Sequence, residues 1–258
     1  MPTESLVTLP LGLGFLQELI HPPTSVPEVL HALLRWTHFV GGITWVGLLY
    51  FFNLVNVPLQ KSIDPDTKKK VNPILLSKAL WYFRWGSVVT VLAGLAYYSM
   101  YILSVEARGA GVNGFLYLVI WLVIVIVTYA ILFGMYRVPA LTADGRILAV
   151  AIAVLMIAMS VAVIYILGNA GTNGKFLGNK SISIGVGGGL GMLMFSNVWS
   201  VIWPTQRRAI AAIEKGTPAP SPEEMRRAFL ASRTNTWLSL PLLFLMGTSH
   251  GDWILFGK

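Results

Sequence analysis

The sequence predicts an all-α fold: a polytopic bundle of transmembrane helices. Two observations carry that expectation and a third orients it. Only 12% of the 258 residues are charged while 55% are hydrophobic, against roughly a quarter charged in ordinary soluble domains. Uncharged apolar stretches of about 20 residues recur along the chain. Each is long enough as a helix, at about 1.5 Å per residue, to cross a hydrocarbon layer about 30 Å thick. The basic residues, finally, gather in alternate loops.

Hydropathy places six spans at 29–57, 79–103, 114–136, 146–168, 184–203 and 236–256. The stretch Leu6–Ile20 is apolar but short and broken by Pro10, Gly12 and Gly14, which suits an interfacial or re-entrant segment. Pro22, Pro23 and Pro27 separate it from the first span. The expected organisation is therefore an N-terminal interfacial segment, 1–28, and one transmembrane helical domain, 29–258. Residues 1–20 lack a basic leader region and contain Glu4 and Glu18, so a cleavable export signal is not expected.

The loops after spans 1, 3 and 5, with their flanks, hold Lys61, Lys68, Lys69, Lys70, Lys78, Arg84, Arg137, Arg146, Arg207, Arg208, Lys215, Arg226, Arg227 and Arg233. The opposite side holds only Arg35, Arg108, Lys175, Lys180 and Lys258. This bias predicts cytoplasmic basic loops and both termini outside. It also accounts for the net charge of +8, so nucleic acid is not an expected partner; the lipid bilayer is.

The chain has no cysteine, which excludes disulfides, thiolate metal sites, cysteine-ligated iron–sulfur clusters and covalently attached c-type haem. All eleven carboxylates fall in loops or near span ends. Proton- and cation-coupled carriers usually place one at mid-membrane, so transport ranks low.

The four histidines are His21, His31, His38 and His250. His21 precedes two prolines and belongs to a loop. His31 and His38 are seven residues apart, about 700° of helical rotation, so they share a stripe that Trp45 continues. Gly41 and Gly42 lie beside it. Counting from span midpoints places His38 and His250 roughly 7.5 and 6 Å outward of centre. Two imidazoles at similar depth on different helices suit the axial ligands of a haem b. His31 is a secondary candidate ligand, and Arg35 is placed to pair with a propionate. One haem is the simplest count; two are conceivable with His31. A lone histidine near a span end is more often a hydrogen-bonded residue than a ligand, and that reading stays open.

Other features read as packing. Gly185, Gly187, Gly188, Gly189 and Gly191 lie within an apolar span without a phosphate-loop lysine, which points to close helix contacts. Trp81, Trp85, Trp199 and Trp203 suit an interfacial aromatic belt. Arg84 either snorkels or holds an anion. Asn53, Asn56, Asn197 and Asn235 suit helix–helix hydrogen bonds, while Arg84, Asn197 and Asn235 are the candidates for substrate contact. No residue stands out as catalytic.

The segments Arg35-Trp-Thr-His-Phe-Val-Gly-Gly-Ile-Thr-Trp-Val-Gly47, Ala79-Leu-Trp-Tyr-Phe-Arg-Trp-Gly86, Asn197-Val-Trp-Ser-Val-Ile-Trp-Pro204 and Ser232-Arg-Thr-Asn-Thr-Trp-Leu-Ser-Leu-Pro241, leading to Ser249-His250, resemble the membrane domain of the PuuD-type urate hydroxylases. The resemblance covers about residues 28–252. It implies a multi-pass protein of the bacterial inner membrane that oxidises urate to 5-hydroxyisourate and passes electrons to cytochrome c. Many members carry a C-terminal cytochrome c domain with a Cys-x-x-Cys-His motif. This chain has none, so the resemblance implies a separate cytochrome c or other redox partner on the outer face. Two alternatives stand beside the enzyme: a b-type electron-transfer subunit of a respiratory or oxidase assembly, and a haem-free structural subunit of a membrane complex.

Overall fold

The protein is described here as a computed structural model over residues 23–171, 177–250 and 254–256. The expectations for Leu6–Ile20 and His21 lie outside the described residues. Within them the chain is all-helical, with no strand. Seven helices follow in order: α1 (Val26–Ser62), α2 (Pro65–Ala110), α3 (Gly114–Met135), the short α4 (Pro139–Ala143), α5 (Gly145–Gly168), α6 (Asn179–Lys215) and α7 (Pro222–Thr248). Five of them, α1, α2, α3, α5 and α6, are long and apolar enough to cross a membrane. In α7 only the second half is apolar: the helix begins well before the expected span at 236–256 and ends at Thr248. It nevertheless packs along α6 as a member of the bundle.

Polar side chains set the helix starts. Asp64, Asn113 and Asp144 accept backbone amides at the beginnings of α2, α3 and α5. Ser221 and Glu224 form a reciprocal capping box at α7, satisfying amides that have no partner within the helix. Gly111 and Gly216 end α2 and α6 at φ of 75° and 66°, a left-handed conformation that side-chain-bearing residues resist.

The three longest helices each contain one π-helical turn: Phe51–Asn56 in α1, Tyr98–Leu103 in α2 and Val198–Ile202 in α6. Two have a cause in the sequence. Pro58 and Pro204 have no amide for the carbonyls of Leu54 and Ser200, and the proline ring crowds those oxygens. The helix widens instead, and Val57 and Trp203 donate to carbonyls five residues back, Phe52 and Val198. In the third, the Ser104 hydroxyl donates to the Ser99 carbonyl at 2.5 Å, and the Ser104 amide bonds the same residue.

Helix α6 is the centre of the bundle: 78% of its apolar window is buried, against at most 33% in the other spans. Its glycine run makes that possible, as the sequence predicts. A Cβ on Gly185 would lie 2.8 Å from Leu167 of α5, and one on Gly187 3.1 Å from Met246 of α7. The exposed Gly185 carbonyl receives the Trp121 indole at 2.7 Å. A second close approach joins α1 to α2, where Gly86, Thr90 and Gly94 form a small-residue stripe. A Cβ on Gly41 would meet Thr90 Oγ1 at 2.8 Å and the Thr90 backbone nitrogen at 3.1 Å.

Two predictions follow from these contacts. Gly41→Val forces α1 off the α2 backbone and costs about 1–3 kcal/mol, read as a lowered Tm in detergent. Gly47→Ala, with nothing within 4 Å of its Cβ, leaves Tm unchanged or raises it. At the basic end, the Arg208 guanidinium 2.6 Å from Glu224 and the Ser221 amide hold the Glu224 carboxyl below its ordinary value of 4.5. A depressed acid stabilises the fold above its unfolded pKa and loses that contribution as pH falls through the folded value. Tm of the native chain therefore falls more steeply on acidification below pH 4.5 than that of Glu224→Gln.

Candidate functional site

The histidine end is built by α1, α2 and the end of α7. His38 is half-buried against α2, and its Nδ1 lies 2.8 Å from the Thr90 carbonyl oxygen. A carbonyl oxygen only accepts, so His38 carries its proton on Nδ1 and leaves the Nε2 lone pair available. Gly94 permits this bond. In a helix Gly94 is the residue whose amide reaches the Thr90 carbonyl, and a Cβ there would lie 2.6 Å from both Nδ1 and Cε1 of His38.

Nearer the helix end, Tyr97 of α2 stands between two other histidines. Its hydroxyl is 3.3 Å from His31 Nε2 and 3.2 Å from His250 Nε2. The proton positions follow by elimination. The Ser249 hydroxyl donates to the Met246 carbonyl at 2.7 Å, so at 2.7 Å from His250 Nδ1 it accepts that nitrogen's proton. His250 Nε2 is then an acceptor, the Tyr97 hydroxyl donates to it, and His31 Nε2–H donates to Tyr97. His31 also stacks on Tyr97 and tilts against Tyr101, with ring centroids 5.1 and 4.8 Å away. The charge of Arg35 reaches both Tyr97 and His250.

This placement corrects the depth reckoning from sequence. His250 is level with His31, because both meet Tyr97; His38 is level with Thr90, seven residues or about 10.5 Å further along. None of the described contacts joins His38 to His250. Gly41 is taken up by Thr90, whereas beside Gly42 the nearest atom is Thr90 Cγ2 at 3.8 Å. Trp45 is buried with its indole N–H unpartnered.

The substrate candidates do not form one cluster. Arg84 lies over the Trp203 ring at 3.9 Å and near Trp85 at 5.6 Å, with its Nε buried and unpartnered. Asn197 donates to Asn235 at 2.8 Å and to Tyr136 at 3.2 Å, and Asn235 donates to the Met194 carbonyl. Asn53 donates to Ser232, and Gln60 to Asn56. Asn53, Asn197 and Asn235 bond helix to helix, whereas the Gln60–Asn56 bond lies within α1; the side-chain carbonyl oxygens of Asn53 and Asn197 stay buried without a partner. Sequence reasoning missed Tyr97, Thr90, Gly94 and the hydroxyl of Ser249; the dense run Tyr97, Tyr98 and Tyr101 at a span end was the available signal.

The donor chemistry fits a haem at His38. Its Nε2 lone pair is free of partners among the described contacts, and the Nδ1 bond holds the ring as ligating histidines are usually held. His250 has the same tautomer, but the Tyr97 proton covers its Nε2. His31 has the opposite tautomer.

Fold and site together define a multi-pass α-helical membrane protein with a histidine–tyrosine cluster at one end. The chain matches the Urate oxidase N-terminal family over residues 24–256 and belongs to it. No curated protein and no solved structure matches.

Nitrogen-15 NMR of labelled histidine should show His38 and His250 protonated at Nδ1 and His31 at Nε2. Tyr97→Phe removes two hydrogen bonds, at about 0.5–1.5 kcal/mol each. It should lower Tm and alter the His31 and His250 signals while leaving that of His38 in place.

Proposed function

We propose that the protein is a haem b-containing membrane oxidoreductase of the urate hydroxylase type, passing electrons to a cytochrome c on the outer face of a bacterial inner membrane. The family match supports the oxidoreductase class. The single observation that carries the cofactor is His38, oriented by Thr90 and presenting an uncovered lone pair. Bound there, haem would supply a one-electron acceptor for a two-electron substrate.

The chain's own residues would hold and tune it. His38 would hold it through Nε2, with Gly94 and the Thr90 carbonyl fixing the ring. His250, whose Nε2 accepts from Tyr97, would become available as a second ligand only if that end of the bundle rearranged. Arg35 offers a cation for a propionate, and the open backbone at Gly42 leaves space alongside. The basic loops would face the cytoplasm, placing the histidine end where an external cytochrome docks.

One observation favours the alternative of a b-type electron-transfer subunit without urate chemistry. Asn197 and Asn235 are bonded to each other within the helix packing, and Arg84 is stacked on tryptophan elsewhere.

Oxidised and reduced visible spectra of the purified chain, followed by anaerobic addition of urate, separate these readings. A b-type spectrum reduced by urate is expected; one indifferent to urate selects the electron-transfer subunit. His38→Ala should abolish the spectrum. Gly94→Ala, which displaces the ring without removing the ligand, should weaken haem binding about 10–100-fold. A colourless preparation that added haem does not convert overturns the cofactor and leaves a structural subunit of a membrane complex.

A further inference from the structure

A groove of about 200 Å³ runs between α5 and α7 at the basic end, away from the histidines. Near its start, Arg226 reaches from α7 to the carbonyls of Thr142 and Ala143 just before α5. Gly145, Ala149 and Ile152 line one wall, and Arg233, Trp237 and Leu238 the other. The groove thus starts at the first residue of α5 and extends about two turns, roughly 12 Å, into the bundle. This is the depth at which a lipid headgroup gives way to its acyl chains.

The walls are apolar apart from Arg233 and Thr234. Arg233 makes a long bond of 3.5 Å to the Asn53 carbonyl and lies 5.6 Å from the Phe229 ring. Among the described residues, no carboxylate lies within ion-pair distance of it. The charged residues nearest it along α7 are Arg227, Arg226, Glu224 and Glu223, and Glu224 is paired with Arg208; at the start of α5 stand Arg146 and Asp144, whose carboxylate is engaged with the Arg146 amide at 2.8 Å. A partly buried cation at the mouth of an apolar slot calls for an anion carrying a hydrocarbon tail.

We infer that this groove is a binding site for one anionic phospholipid, its phosphate on Arg233 and an acyl chain along Ala149, Ile152 and Trp237. A second copy of the chain fits less well. The exposed face of α5, with Ile147, Val150, Val154 and Ile157, has no acidic residue to meet the arginine. The inference is independent of the haem reading.

The test uses delipidated full-length protein titrated with phosphatidylglycerol or phosphatidylcholine of matched chains, with bound lipid counted by native mass spectrometry. Phosphatidylglycerol should bind about fivefold more tightly, the equivalent of one lysine or arginine at a membrane surface. Arg233→Gln should reduce it to the phosphatidylcholine level. Ala149→Phe, filling the slot, should weaken both lipids, while Arg146→Gln changes neither. Equal binding of the two lipids by the native chain overturns the proposal, as does an Arg233→Gln variant with native preference. If Ala149→Phe shifts a monomer–dimer equilibrium and leaves lipid binding intact, the groove belongs to a second copy and the proposal fails. Should Arg233→Gln not fold, the native lipid ratio and Ala149→Phe decide.

Discussion

The histidine end depends on an atom that is not there: the Cβ of Gly94. Its absence opens the side of α2 at the Thr90 carbonyl, lets the His38 ring enter, and gives that oxygen a second donor. One turn away, Gly41 lets the α1 backbone settle against Thr90. With α1 and α2 this close, His31 reaches Tyr97, and Tyr97 in turn reaches His250 at the end of α7. A bulkier residue at either glycine would separate the two helices, and both the oriented imidazole of His38 and the histidine–tyrosine chain would be lost together.

A membrane interior offers no water to unpaired backbone groups, so breaks in a spanning helix must be repaired within the chain. Pro58 and Pro204 would each leave a break, and the π turns ahead of them absorb it. The wider turns also carry Asn53 and flank Asn197, whose amides bond α7 through Ser232 and Asn235. Two prolines therefore do more than end or bend a helix: they accompany the polar contacts that hold α7, with its polar first half, inside an otherwise apolar bundle. The buried carbonyl oxygens of Asn53 and Asn197 remain unpaired there, a cost that the surrounding packing offsets.

The two ends of the bundle are chemically unlike. One concentrates imidazoles and phenols around neutral hydrogen bonds, in which each proton has a definite place. The other concentrates cations: Arg84 over indole rings, Arg208 on Glu224, Arg226 on backbone carbonyls, and Arg233 beside an apolar slot. The redox chemistry and the lipid contact proposed here thus fall on separate ends.

The sequence by itself determined the all-helical membrane class, the approximate positions of five of the six expected spans and the packing role of the glycine run. These depend on hydrophobicity and residue size, which act locally and are additive along a helix. It also singled out the histidines, because a polar ring in an apolar span is costly wherever it sits. Only the tertiary structure decided which groups meet. Depth counted from span midpoints put His38 opposite His250, but α7 starts earlier and ends sooner than hydropathy indicated, so His250 met His31 through Tyr97 instead. Tautomers were likewise invisible, since the proton on each ring is placed by partners 52 and 66 residues away in sequence, as well as by its neighbour Ser249. Spacing along one helix defines a stripe; what faces that stripe depends on how closely another backbone can approach, and here two missing side chains set that distance.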